Sequence, residues 1–132
     1  MIAINHLRKS RLPVSALGLG CASLAGIFRP VPTPEARETI DDAFEAGVRY
    51  FDTAPFYGHG LSERLVGDSL RKKSGCTLST KAGRLLRPGA MIDPGAWIDA
   101  LPFTPHFDYS YDAIMRSFED SLQRLGLSRI DI

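Results

Sequence analysis

Apolar and polar positions fall into two alternating rhythms. Residues 13–22 (PVSALGLGCA) are small and apolar with two glycines, which predicts a strand, and Pro30, Pro32 and Pro34 predict a loop after it. Thr33 before Pro34 and Glu35 has the form of a helix start: a capping hydroxyl, a first-turn proline and an acid at the positive end of the dipole. Ala36, Ile40, Ala43 and Phe44 then recur at helical spacing until Gly47. Residues 48–54 (VRYFDTA) are rich in β-branched and aromatic side chains and stop at Pro55, which predicts a buried strand.

The cycle repeats. Ser62 and Glu63 open a predicted second helix with Leu65, Val66 and Leu70 on its apolar face, closed by the basic, glycine-ended residues 71–75 (RKKSG). Residues 76–82 (CTLSTKA) predict a third strand. Residues 83–109 are broken by prolines and glycines and hold Trp97, Phe103, Phe107 and Tyr109, which predicts a long, ordered, irregular loop. Ser110 caps a third helix with Ile114, Phe118, Leu122 and Leu125 in one stripe, ended by Gly126, and residues 129–132 (RIDI) begin a fourth strand. Alternating strands and helices in this order predict a single α/β domain, residues 1–132, with a parallel sheet.

Charge narrows the partners. Lys plus Arg number 16 against 15 Asp plus Glu, a net charge of +1, with the signs interspersed, so no field steers nucleic acid or an anionic membrane. No apolar run approaches the roughly 20 residues of a membrane span, and none follows the basic N-terminus, so a cytoplasmic location is expected. Cys21 and Cys76 belong to no CxxC pair and read as small core residues, and no metal constellation is expected.

Candidate chemistry gathers at strand ends. Asp52 closes an otherwise apolar strand and Lys81 the next, so a parallel sheet brings both to its carboxyl edge, where ligand crevices form. Tyr57 follows in the loop after Asp52. A free tyrosine titrates near 10, and a cation such as Lys81 favours its phenolate, while Asp52 holds the lysine charged and oriented. The plainer readings are a loop-capping Asp, a solvent-directed Lys and a packing Tyr; their conjunction favours a proton-transfer unit. Gly18, Gly20 and Asp52 also invite comparison with a dinucleotide fingerprint, but three prolines separate the glycines from the next helix, so a tight turn is the better account. His59, in a glycine-flanked turn, is expected to serve the loop, and His6 and His106 to be plain polar residues.

Residues 47–67 (GVRYFDTAPFYGHGLSERLVG) resemble the signature segment of the aldo-keto reductase superfamily, and STKAG at 79–83 supplies its lysine strand. Residues 107–132 further resemble the branch with aldose and fucose 1-dehydrogenases and pyridoxal 4-dehydrogenase. The resemblance implies a (β/α)8 barrel that transfers a hydride between NAD(P) and a small aldehyde, sugar or alcohol without metal. Tyr57 matches the family's proton donor, Lys81 the residue that lowers its pKa, and Asp52 the carboxylate paired with that lysine. Gly20 and Cys21, with Asp52, match positions near the nicotinamide. The segment before Pro13 matches a hairpin across the barrel floor, and residues 83–109 a substrate-lining loop after the third strand. The family's fourth catalytic member, a histidine, follows the fourth strand. The expectation is therefore the first half of a TIM-type barrel, truncated in strand 4, weakly active or inactive alone. The alternative is a non-catalytic half-barrel module: its sheet would have helices on one face and open edges, relieved by self-association or a complementing chain.

Overall fold

The computed structural model describes residues 2–89 and 93–132. Its centre is a three-stranded parallel sheet of β3 (Gly18–Gly20), β4 (Tyr50–Asp52) and β5 (Thr77–Ser79), in that order. Helices α1 (Thr33–Glu45) and α2 (Leu61–Leu70) are the crossovers, and α3 (Tyr111–Leu125) follows β5.

Period-two alternation divides the sheet into two chemically distinct faces. Leu19, Phe51 and Leu78 lie in register across it and meet Ala36 and Ile40 of α1, Leu65, Val66 and Leu70 of α2, and Leu125. The other face carries Gly18, Tyr50 and Thr77 in one row and Gly20, Asp52 and Ser79 in the next. No helix covers that second face among the described residues; it borders a cavity of about 550 Å³.

The apolar run at 13–22 is two strands rather than one. Its start, β2 (Pro13–Ser15), pairs antiparallel with β1 (Ile4–His6), and only Gly18–Gly20 joins the parallel sheet. The resulting hairpin lies across the N-terminal ends of the sheet strands: Ser15 Oγ accepts from the Arg49 amide at 2.8 Å, and Thr77 Oγ1 donates to the Pro13 carbonyl at 2.5 Å. Those two side-chain bonds tie down the expected floor.

Residues 83–109 also depart from expectation. In place of an irregular loop, β6 (Arg84–Pro88) and β7 (Phe103–Phe107) form an antiparallel hairpin over five register pairs. Their prolines sit where a two-stranded ribbon, all edge, tolerates a missing N–H. Residues 90–92 of the predicted loop lie outside the described residues.

Helix ends match their local chemistry with small shifts. Ser110 Oγ accepts from the Ala113 amide and Gly126 takes the left-handed C-cap of α3, both as anticipated. At α1 the cap position falls to Pro32, and α2 starts after Gly60, leaving Ser62 inside the helix. The inward face of α3 is Ala113, Ser117, Ser121 and Leu125; Ile114 and Leu122 of the expected stripe are half-buried and Phe118 is exposed. Small residues win that face because α2 and α3 approach closely. A Cβ on Gly67 would lie 2.2 Å from the Leu125 carbonyl oxygen. Gly67→Ala is therefore expected to destabilise the fold by at least about 1–3 kcal/mol, the usual cost of overpacking, read from urea unfolding.

Residues 129–132 run beside β5 without forming a strand. The Asp131 and Ile132 amides both donate to the Leu78 carbonyl, and the Thr80 amide donates to the Ile132 carbonyl. The Leu78 amide goes to the Asp131 carboxylate at 2.9 Å, so a side chain takes the donor that a strand carbonyl would need.

Candidate active site

Each member of the predicted trio is placed by a different local constraint. Asp52 is the last residue of β4 and lies on the polar face. Lys81 lies two residues past β5, and its ammonium donates to Asp52 Oδ2 at 2.8 Å, to Asp52 Oδ1 at 3.0 Å and to the Thr53 carbonyl at 2.9 Å. Ser79 adds a hydroxyl donor to Asp52 Oδ1 at 2.6 Å and is itself joined to the Tyr50 hydroxyl at 3.1 Å. The carboxylate is thus fixed by two side chains of the neighbouring β5 and the residues just after it.

Tyr57 begins the turn Tyr57–Gly60, in which Gly58 and His59 adopt left-handed conformations with φ of 59° and 52°. A side chain at Gly58 would collide with Ala25, whose Cβ and carbonyl oxygen both lie 2.9 Å from the position of a Cβ. That sharp reversal brings the Tyr57 ring to the sheet edge. The Lys81 ammonium is 5.0 Å from its centroid, and Trp97 packs on it at 5.8 Å. Geometry therefore gathers Tyr57, Lys81 and Asp52 in one place.

Electrostatics favours a permanent cation there. Desolvation works against the Lys81 charge, but hydrogen bonding and charge from Asp52, joined by Tyr57, outweigh it, and the lysine pKa rises above its ordinary value. A raised cation pKa stabilises the fold fully below the unfolded value near 10.4 and loses that contribution as pH climbs through the folded value. Direct NMR titration of the Lys81 side chain should accordingly show deprotonation only above the ordinary lysine range; an ordinary or depressed midpoint would break the pairing.

The two glycine-turn candidates behave differently. A Cβ at Gly20 would meet nothing within 4 Å, so this strand end presents bare main chain beside Asp52. Cys21 points into the core with no exposure, its amide donating to the Asp52 carbonyl at 2.8 Å and its carbonyl accepting from Ser62 Oγ at 3.0 Å. Burial first, then the Asp52 charge, push its thiol up to about 12, so it remains a protonated core group. The thiol has no access to a ligand on the polar face.

His59 is buried, with Nδ1–H donating to the Phe103 carbonyl at 2.9 Å and its ring stacked on Phe56. Burial lowers its pKa, the Phe103 bond opposing and Arg84 reinforcing, so it is a neutral strut between the Tyr57 turn and β7. His106, expected on an irregular surface, is on β7 and half-buried, whereas His6 is exposed on β1.

Several groups emerge only in space. Glu63, read as a first-turn acid, is fully buried and accepts from Thr80 Oγ1 at 2.7 Å and from Arg124 Nε. It ties α3 to the residue preceding Lys81. Thr53, Ser62 and the Cys21 carbonyl form a second buried hydrogen-bonded chain behind the site. On the solvent side, Phe56, Tyr57, Lys81, Arg84, Phe107 and Tyr109 line a cavity of about 220 Å³. Of these, Arg84 and Phe107 come from the β6–β7 hairpin.

The Asp52–Lys81 pair, Tyr57 and an aromatic pocket thus lie together at the carboxyl edge of the sheet. The aldo/keto reductase family profile matches residues 16–132, and the chain belongs to that family. It is 44% identical to pyridoxal 4-dehydrogenase from Microbacterium luteolum over 96% of this chain and 40% of that protein. It is 41% identical to D-threo-aldose 1-dehydrogenase from a Pseudomonas species, over 92% of this chain and 39% of the relative. The holo form of aldo-keto reductase AKR11C1 from Bacillus halodurans superposes with a TM-score of 0.75 at 32% identity, covering 98% of this chain and 38% of that one. The chain thus spans about 40% of the length of the curated relatives it matches. The family's cofactor is NAD(P). At the carboxyl edge the main chain of Gly20 is open beside Asp52, leaving space for a flat ring.

Proposed function

We propose that this chain is the first half of a (β/α)8 barrel and carries the proton-transfer machinery of an NAD(P)-dependent oxidoreductase acting on a small aldehyde, sugar or alcohol in the cytoplasm. The observation that carries the reading is the Lys81–Asp52 pair, held by three hydrogen bonds from Lys81 and one from Ser79, with the Tyr57 ring 5.0 Å from the ammonium.

NAD(P), when bound, supplies or accepts the hydride at the carbonyl carbon. Gly20 leaves room for the nicotinamide, and Asp52 keeps Lys81 oriented beside it. Tyr57 gives its phenolic proton to the substrate oxygen as that oxygen gains charge, and Lys81 stabilises the phenolate left behind. Phe56, Phe107 and Tyr109 give the reacting group an aromatic wall. Aldehyde, reduced cofactor and one proton yield alcohol and oxidised cofactor; the reverse reaction uses the same groups.

The bare polar face supports the barrel part of the reading. Parallel sheets are normally covered on both faces, whereas Gly18, Gly20, Tyr50 and Asp52 border an open cavity on this one. Exposed Met115, Phe118 and Ile132 mark where further elements would pack. That same exposure favours a second reading, a non-catalytic half-barrel that self-associates or complements another chain. Turnover separates the two: the chain alone is expected to oxidise NAD(P)H with an aldehyde weakly at most, and whatever rate it has should vanish when Tyr57 loses its hydroxyl. Association without cofactor binding would favour the second.

A further inference from the structure

Arg84 opens β6 and lies at the rim of the Tyr57 pocket. Its guanidinium carbon is 3.8 Å from the centroid of Phe56 and 4.1 Å from that of Phe107, rings delivered by two different segments. Contacts this short are made with the flat faces of the guanidinium and leave its N–H rim free. Among the described residues it joins no salt bridge, unlike Lys81, whose charge is already matched by Asp52. Asp108, at the exit of the same hairpin, is occupied by the Ser110 amide at 2.9 Å.

Aromatic rings attract a guanidinium but offer no hydrogen-bond acceptor, so a fork of donors lines the pocket with no hydrogen-bond partner among the described residues. The complementary group is a planar oxyanion, which such a fork binds through two parallel hydrogen bonds. The cavity, about 220 Å³, is smaller than the roughly 300–1,000 Å³ of drug-sized sites, and its wall is aromatic. We propose that Arg84 is the specificity-determining residue of this pocket and selects small, planar carbonyl substrates that also carry a carboxylate. The substrate part of this inference rests on the oxidoreductase reading above; the oxyanion site does not.

Two measurements keep them apart. Benzoate binding, followed by NMR or calorimetry without cofactor, should weaken tenfold or more in Arg84→Met and less in Arg84→Lys, which keeps the charge but loses the fork. In turnover, the ratio of kcat/KM for 3-carboxybenzaldehyde to that for benzaldehyde should fall tenfold or more in Arg84→Met, with Arg84→Lys intermediate. Circular dichroism of each variant establishes that it is folded, and Arg84→Lys carries the test if Arg84→Met is not. Benzoate binding or a substrate ratio unchanged in a folded variant would overturn the proposal. Arg84-dependent benzoate binding in a protein that turns over neither aldehyde would sustain the oxyanion site and defeat the oxidoreductase reading. Turnover indifferent to the carboxylate would sustain the oxidoreductase reading and defeat the proposed role of Arg84 in substrate selection.

Discussion

Tyr57→Phe is expected to lower kcat for aldehyde reduction by about 10²–10⁴-fold, the range that a positioned general acid contributes. The substitution removes one oxygen and keeps the ring, so the packing against Trp97 at 5.8 Å and the Lys81 contact at 5.0 Å should survive. Loss of rate should therefore come without loss of fold. Thermal melts of the two proteins should superimpose within a few degrees while initial rates differ by orders of magnitude. A rate that persisted in the variant would remove Tyr57 from the mechanism.

Glu63→Ala should have the largest effect on stability. Glu63 is fully buried, and its carboxylate accepts from Arg124 and Thr80; the Arg124 side chain is 13% exposed. Breaking a buried pair by removing one partner typically costs about 3–5 kcal/mol, because the remaining charge is stranded. Water at the Arg124 rim places the expectation near the lower end, about 3 kcal/mol, with a fall in Tm on the order of 10 °C. The double variant Glu63→Met with Arg124→Met should regain much of that loss, since apolar replacement of a whole buried pair is often neutral. Urea unfolding of the single and double variants reads both effects. A double variant as unstable as the sum of its parts would show that the two residues contribute through packing alone.

The sheet and the trio were readable because their signals are local. Leu19, Phe51 and Leu78 belong to apolar runs bounded by breakers, and Asp52 and Lys81 interrupt those runs at the end that a parallel sheet directs towards ligands. The β6–β7 hairpin was hidden. RLLRP and FTPHF lack clean alternation and contain prolines that argue against strands, and their pairing is a long-range event closed across residues 89–102. The break between β2 and β3 was hidden for the opposite reason: both pieces are small and largely apolar, and the single Ser15 at the end of β2 carries no breaker signal where the chain leaves the floor hairpin for the sheet. In α3 the bulky stripe looked inward, yet close approach at Gly67 selects Ala113, Ser117 and Ser121 instead. For Cys21 the spacing predicts a small core residue, while the family resemblance implies a place near the nicotinamide. The pleat sends consecutive side chains to opposite faces, and the thiol goes into the core. Arg84, Phe56 and Phe107 converge from separate segments, so no spacing along the chain announces their cluster.

The proposed function requires Tyr57, Lys81 and Asp52 to serve a hydride transfer. Its most direct measurement supplies reduced cofactor deuterated at C4 of the nicotinamide, with benzaldehyde, to the protein and to Tyr57→Phe, and analyses the alcohol by mass spectrometry. The predicted result is one deuterium on the carbinol carbon, formed at least 100-fold more slowly by the variant. Unlabelled alcohol, or label appearing equally fast with and without the Tyr57 hydroxyl, would contradict it.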